Sequence, residues 1–155
     1  MRRILGAALL VVGAAAAAFV VGMRRKSPVL QDRIRQLSKQ VGQPLALRTA
    51  GRPGQANGVI HHVGRRSGTE YATPMTPFRI GDELLIALPY TAKADWVRNV
   101  LAAGTARVDH DGESLTVTDP EVVSYAQVAG QLPTPSKVVA KVFDLQEFLR
   151  LRIVR

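Results

Sequence analysis

From residue 4 to residue 23 the chain runs for 20 positions without a charge or a strongly polar group. At ~1.5 Å rise per residue a helix of that length is about 30 Å long, one hydrocarbon thickness. The pattern then changes. Leu30, Ile34, Leu37 and Val41 recur at helical spacing, with Arg33, Arg35 and Lys39 on other faces. Pro28 suits a first turn and Gly42 an end. Residues 27–44 therefore predict an amphipathic helix, packed on the following domain or lying on a membrane surface.

Beyond this point the apolar runs become short and are bounded by turn residues. Residues 48–58 are rich in Gly, Pro, Asn and Gln and read as loop. Strands are expected at about 58–64, 70–79, 84–89, 105–110 and 113–119, with Gly81-Asp82 and Asp111-Gly112 as hairpin turns. A helix is expected at about 96–103, with Asp95 as N-cap and Gly104 as its stop. After a strand end at Asp119-Pro120 come short helices near 124–131 and 135–142. Alternating apolar and basic residues at 148–153 make a last strand. Six short strands with few helices predict a mainly β domain over residues 45–155, built as a small antiparallel barrel.

Charge sharpens the picture of the N-terminus. The net charge is +9, but residues 1–26 hold five cations (Arg2, Arg3, Arg24, Arg25, Lys26) and no acid. The remainder carries 16 basic and 12 acidic residues, an ordinary balance. With 5% aromatics there is no stacking platform among the basic residues, so nucleic acid is not the expected partner. The chain has no cysteine, which excludes disulfides, thiolate catalysis and thiolate metal sites. The Met-Arg-Arg start and the alanines at 14–18 are compatible with a cleaved leader. Against cleavage, the apolar run continues through Phe19-Val20-Val21 and closes on Arg24-Arg25-Lys26. Residues 1–26 are read as an uncleaved transmembrane anchor with the body on the cytoplasmic side.

The segment Gly64-Arg65-Arg66-Ser67-Gly68 lies where the first hairpin must reverse. Glycine allows the turn and close approach of a ligand. Arginine suits forked contacts with phosphate or carboxylate. The turn is thus a candidate anion cradle on a sheet rim, and its ordinary reading is a solvated basic turn. His61 and His62 are adjacent in a strand, so they face opposite ways and cannot jointly chelate a metal. One of them could line a pocket with Arg65. His110, beside Asp111-Gly112, is expected in solvent. For Trp96 and Asn99 a core aromatic and a helix-to-loop hydrogen bond weigh equally with a binding role.

This turn, followed by Thr73-Pro74-Met75, a Gly-Asp turn, the apolar strand Leu84-Leu85-Ile86-Ala87-Leu88 and then Asp95-Trp96-Val97-Arg98-Asn99-Val100-Leu101, resembles the deazaflavin-dependent nitroreductase and quinone-reductase family. The resemblance covers residues 45–120. It implies a split β-barrel of the flavin-reductase type and coenzyme F420 as cofactor. It also implies hydride transfer to a lipophilic acceptor such as a quinone, and pairing as a homodimer. It places Arg65, Arg66, Ser67 and Gly68 at the cofactor's phosphate tail. Thr73, Pro74 and Met75 would lie against the cofactor, with Lys93, Ala94 and Trp96 at its ring system. Many members of the family have a longer, glycine-containing loop with His-Pro before the tryptophan. Here residues 89–95 are short and lack both, and subgroups resembling this chain suggest an alternative, a cofactor-free barrel that binds fatty acid or another lipid.

Overall fold

A computed structural model describes Val21, residues 46–89 and residues 92–154. The expected anchor at 1–26, Val21 apart, and the amphipathic helix at 27–44 lie outside the described residues. Among the described residues no helix is long and apolar enough to cross a membrane.

The body is mainly β. Its strands are β1 (Gly58–Val63), β2 (Glu70–Met75), β3 (Pro77–Ile80), β4 (Glu83–Ala87), β5 (Thr105–His110), β6 (Glu113–Ser124) and β7 (Glu147–Val154). They form one antiparallel sheet in the order β2-β1-β5-β6-β7-β4-β3. The two edge strands, β2 and β3, are neighbours in sequence with Thr76 alone between them. A flat sheet cannot bring its two edges to one residue, so this one curls into a half-barrel. Thr76 marks the corner, its hydroxyl donating to Asn57 Oδ1 at 2.9 Å. The single strand expected at 70–79 is therefore two strands.

Alternation along the strands separates two cores. Ile60, Leu84, Ile86, Val108, Val117, Leu149 and Leu151 fill the concave side. Helix α1 (Asp95–Ala103) closes it with Val97 and Val100, both fully buried. The opposite side of β4, β6 and β7 carries Leu85, Val123 and Phe148. Helices α2 (Tyr125–Val128) and α3 (Thr134–Val142) cover that side through Val128 and Ala140.

Strand β6 serves both cores because of a bulge. Thr118 pairs with Arg152 and Glu121 with Arg150, so β6 has one extra residue there. Val117 thus opposes Ile153 in the first core, while Val123 opposes Phe148 in the second. Asp119, at φ 53°, takes the left-handed conformation the bulge needs. Pro120 was expected to end the strand. It sits instead within the bulge, where a missing N–H costs no ladder bond.

The turn after β5 is covered by the loop before β1. Gly112 N–H donates to Gly51 O at 2.7 Å, and Gly54 N–H to Asp111 Oδ1 at 2.6 Å. Gly112 is at φ 80°, and a Cβ there would stand 2.8 Å from Pro53 Cγ. Gly112→Ala is expected to cost at least about 1–2 kcal/mol from backbone conformation alone. Chemical denaturation measures it, and limited proteolysis should find new cleavage at residues 52–55.

Candidate functional site

The β1–β2 turn is closed by its own backbone. Gly64 N–H donates to Thr69 O and Gly68 N–H to Gly64 O, both at 2.8 Å. Ser67 Oγ accepts from Thr69 N–H at 3.3 Å. Gly68 is at φ 66°, and Gly64 has no room for a Cβ, which would fall 2.5 Å from Ser67 Oγ. Glycine is thus favoured at both ends for different reasons.

The two arginines have separate fates. Arg65 reaches back to α1. Its Nη1 donates to Asn99 Oδ1 at 2.9 Å, and its backbone N–H donates to the same oxygen at 3.2 Å. Its Nη2 meets Asp95 Oδ1 at 3.1 Å. Asp95 is 82% exposed, so that ion pair is worth little, whereas Asn99 is 6% exposed and its oxygen needs a donor. Arg65 therefore acts mainly as a strap from turn to helix. Arg66 is exposed and has no hydrogen bond or ion pair among the described residues. The amides of Arg66 and Ser67 also lack partners there.

Asn99 carries the contact inward. Its Nδ2 lies 3.3 Å from His62 Nδ1, and His62 Nε2 lies 3.1 Å from Thr73 Oγ1. Tyr71 stacks on the imidazole with ring centres 5.6 Å apart. His62 is buried on the concave side. Burial, and secondarily the neighbouring His61, hold its pKa below the ordinary 6.5. The unfolded chain then takes up a proton before the folded one does. The stability linked to His62 is complete above about pH 6.5 and is lost as pH falls from there through the depressed folded value. Urea midpoints measured against pH should show this fall, and His62→Gln should remove it.

His61 points the other way, as strand alternation requires. It pairs with Asp109 Oδ2 at 2.6 Å, and Ser114 Oγ donates to Asp109 Oδ1 at 2.8 Å. Burial raises the Asp109 carboxyl, but the bonds from Ser114 and His61 and the charges of His61 and Arg107 outweigh it and leave the pKa below the ordinary carboxylate value. A shallow cleft of about 290 Å³ lies beside this group, lined by Gly51, Arg52 and Glu113, and contains none of the expected site residues. His110 is half-buried rather than solvated, with Nδ1 buried and unpartnered among the described residues.

The other expected positions divide by strand face. Thr73 shares the concave face with His62, whereas Pro74 points to the opposite face and Met75 is a core residue, 9% exposed. Lys93 is exposed, and Ala94 and Trp96 are half-buried against the first core. Asp95 is the first residue of α1 and Ala94 takes the cap position, with no side-chain cap bond. The loop before α1 is held from a distance that no local pattern reveals. Glu147 on β7 accepts Leu88 N–H with its carbonyl at 3.0 Å and Ala92 N–H with its carboxylate at 2.8 Å. Glu147, His62 and Asn99 are the residues local sequence reasoning undervalued. The acceptor at position 99 had one visible signal, its place on the inner side of an amphipathic helix.

Among the described residues no group of three or more histidines and carboxylates could hold a metal ion. No family model and no curated protein match the sequence. Solved structures do. An F420-H2 dependent reductase (FDR-A) shares 15% identity over 63% of this chain and 95% of its own, with a TM-score of 0.47. An F420 reductase shares 17% over 70% of this chain and 92% of its own, at 0.45. The heme storage protein HutZ of Vibrio cholerae shares 13% over 64% and 81%, at 0.44. F420-dependent reductases are thus among the structural neighbours of this chain, together with a protein of quite different description. Likeness at this level decides nothing about ligand or activity.

Proposed function

We propose that this chain is a membrane-anchored deazaflavin-dependent oxidoreductase that passes a hydride from reduced coenzyme F420 to a lipophilic acceptor such as a quinone. The observation that carries the reading is the junction of three segments separated in sequence. The basic turn at 64–69, the 73–75 end of β2 and the start of α1 meet through Arg65, Asn99, His62 and Thr73. These segments are the ones that the family resemblance singles out.

The residues present fit such a group. Arg66, with the amides of Arg66 and Ser67, offers donors that have no partner among the described residues, suited to an anionic tail. Gly68 adds open space, with no heavy atom within 4 Å of where its Cβ would stand. Thr73 offers a hydroxyl on the concave face, and Trp96 and Ala94 form an apolar shoulder at the start of α1. When bound, the reduced deazaflavin supplies the hydride, and the protein's task is to bind, orient and exclude water. The anchor at 1–26 would keep the body at the cytoplasmic face, where a membrane-soluble acceptor reaches it. Pairing of two copies belongs to the same proposal. The lipid-carrier alternative rests on the short loop at 89–95, which lacks both the glycines and the His-Pro.

Native mass spectrometry of protein made in a deazaflavin-producing host tests the reading. A bound deazaflavin is expected, and stopped-flow mixing of reduced coenzyme F420, protein and menadione should show oxidation of the cofactor. Fatty acid in the extract with no oxidation at saturating protein would end the reductase reading. An intact N-terminus in the membrane fraction tests the anchor separately.

A further inference from the structure

Donor and acceptor accounting fixes the direction of every hydrogen bond between the turn and β2. Arg65 can donate only, so the oxygen of Asn99 faces it and the amide nitrogen faces His62. That nitrogen also donates only, so His62 Nδ1 must be the bare, accepting nitrogen. The imidazole is then the neutral Nε2–H tautomer, and Nε2–H donates to Thr73 Oγ1. Protonation of Nδ1 would set two donors against each other, in agreement with the lowered pKa of His62. The chain of donors ends on Thr73. Its oxygen accepts from His62, and its own hydrogen has no acceptor among the described residues.

We infer that Thr73 is a dedicated hydrogen-bond donor for a carbonyl oxygen of the ligand, with Asn99 and His62 as positioning residues that set its direction. An isolated threonine hydroxyl can donate or accept and discriminates weakly. Here the acceptor role is already taken, so a ligand that offers an acceptor at this point is favoured over one that offers a donor. A planar carbonyl compound is the matching class, since the half-exposed ring of Tyr71 is stacked on His62, the residue that holds the same hydroxyl. The carbonyl can belong to the deazaflavin ring or to the acceptor quinone. Only the choice of these two probes rests on the reductase reading; the direction of the relay does not.

The test has one arm without ligand and two with it. Long-range ¹H–¹⁵N correlation spectra of the full chain at neutral pH should show His62 Nδ1 as unprotonated and Nε2 as protonated. The Nδ1–H tautomer or an imidazolium would overturn the relay. Thr73→Val keeps the β-branched shape and removes the hydroxyl; Thr73→Ser restores it. Oxidised coenzyme F420 is titrated by its own fluorescence. Menadione is titrated against cofactor-free protein by quenching of Trp96, the chain's one tryptophan. Thr73→Val should weaken one of the two probes about tenfold, the size of one neutral hydrogen bond, and Thr73→Ser should not. The probe that weakens identifies which carbonyl is held. Unchanged affinity of Thr73→Val for both probes overturns the assignment, as does a wild type that binds neither. A wild type that binds menadione but no deazaflavin overturns the reductase reading and leaves this one standing.

Discussion

Arg65→Ala is expected to lower the unfolding free energy by about 2–4 kcal/mol, while the equivalent change at Arg66 stays within about 0.5 kcal/mol. The difference comes from what each side chain leaves behind. Removing Arg65 takes a charged donor from Asn99 Oδ1, an oxygen on a residue 6% exposed that keeps only the backbone N–H of residue 65. It also loosens the turn from α1. The exposed ion pair to Asp95 adds little to the loss. Removing Arg66 leaves nothing unpaired. Ligand affinity should behave oppositely. Arg66→Ala is expected to weaken coenzyme F420 by about 10- to 150-fold if it makes a charge-assisted contact with the anionic tail. Urea denaturation and fluorescence titration of the two variants separate strap from binder. Equal stability loss in both would mean that the strap is not formed in solution.

Phe148→Ala should cost about 3–5 kcal/mol, among the largest effects available in this chain. Phe148 is 1% exposed and stands in the second core among Leu85, Val123, Val128 and Leu132, with Tyr125 tilted against it at 6.3 Å. Against a domain stability of roughly 5–15 kcal/mol this leaves a marginal fold. The effect should also reach the site. Phe148 follows Glu147, which holds Leu88 and Ala92. Hydrogen exchange at Ala92 is therefore expected to speed up in Phe148→Ala by more than at Gly64, whose bond to Thr69 is local. Faster exchange at Gly64 alone would show that the second core does not support the loop.

Local patterns located most of the elements. Alternation at 147–154, the Asp111-Gly112 turn and the Gly104 stop of α1 all appear near their expected positions, because each depends on a few adjacent residues. Gly104 takes φ 70° and its N–H returns to Val100 O, as a helix-ending glycine does. Errors arose where a strand changes partner or face without breaking. The corner at Thr76 and the bulge at Thr118/Glu121 are imposed by curling the sheet on itself. The segment from Val117 to Val123 reads as one alternation, yet the bulge sends its two ends into different cores.

By itself the sequence determined that the body is a mainly β domain, that glycines bracket a basic turn, and that His61 and His62 must face opposite ways. These follow from backbone sterics and from the two-residue period of a strand, which any reader of the chain can apply. It also set the apolar run at 4–23, whose reading as an anchor stands as a proposal. The tertiary structure alone decided which arginine is a strap and which has no partner among the described residues. Arg65 and Arg66 are chemically identical neighbours, and nothing local distinguishes them. The choice depends on Asn99, 34 residues away, being buried with an oxygen that needs a donor. The same holds for Thr73, whose role follows from a relay that begins on another element, and for Glu147, which reaches across 55 residues to hold the loop. Such pairings are set by the burial of polar groups against distant partners, and burial is a property of the folded chain rather than of any window of its sequence.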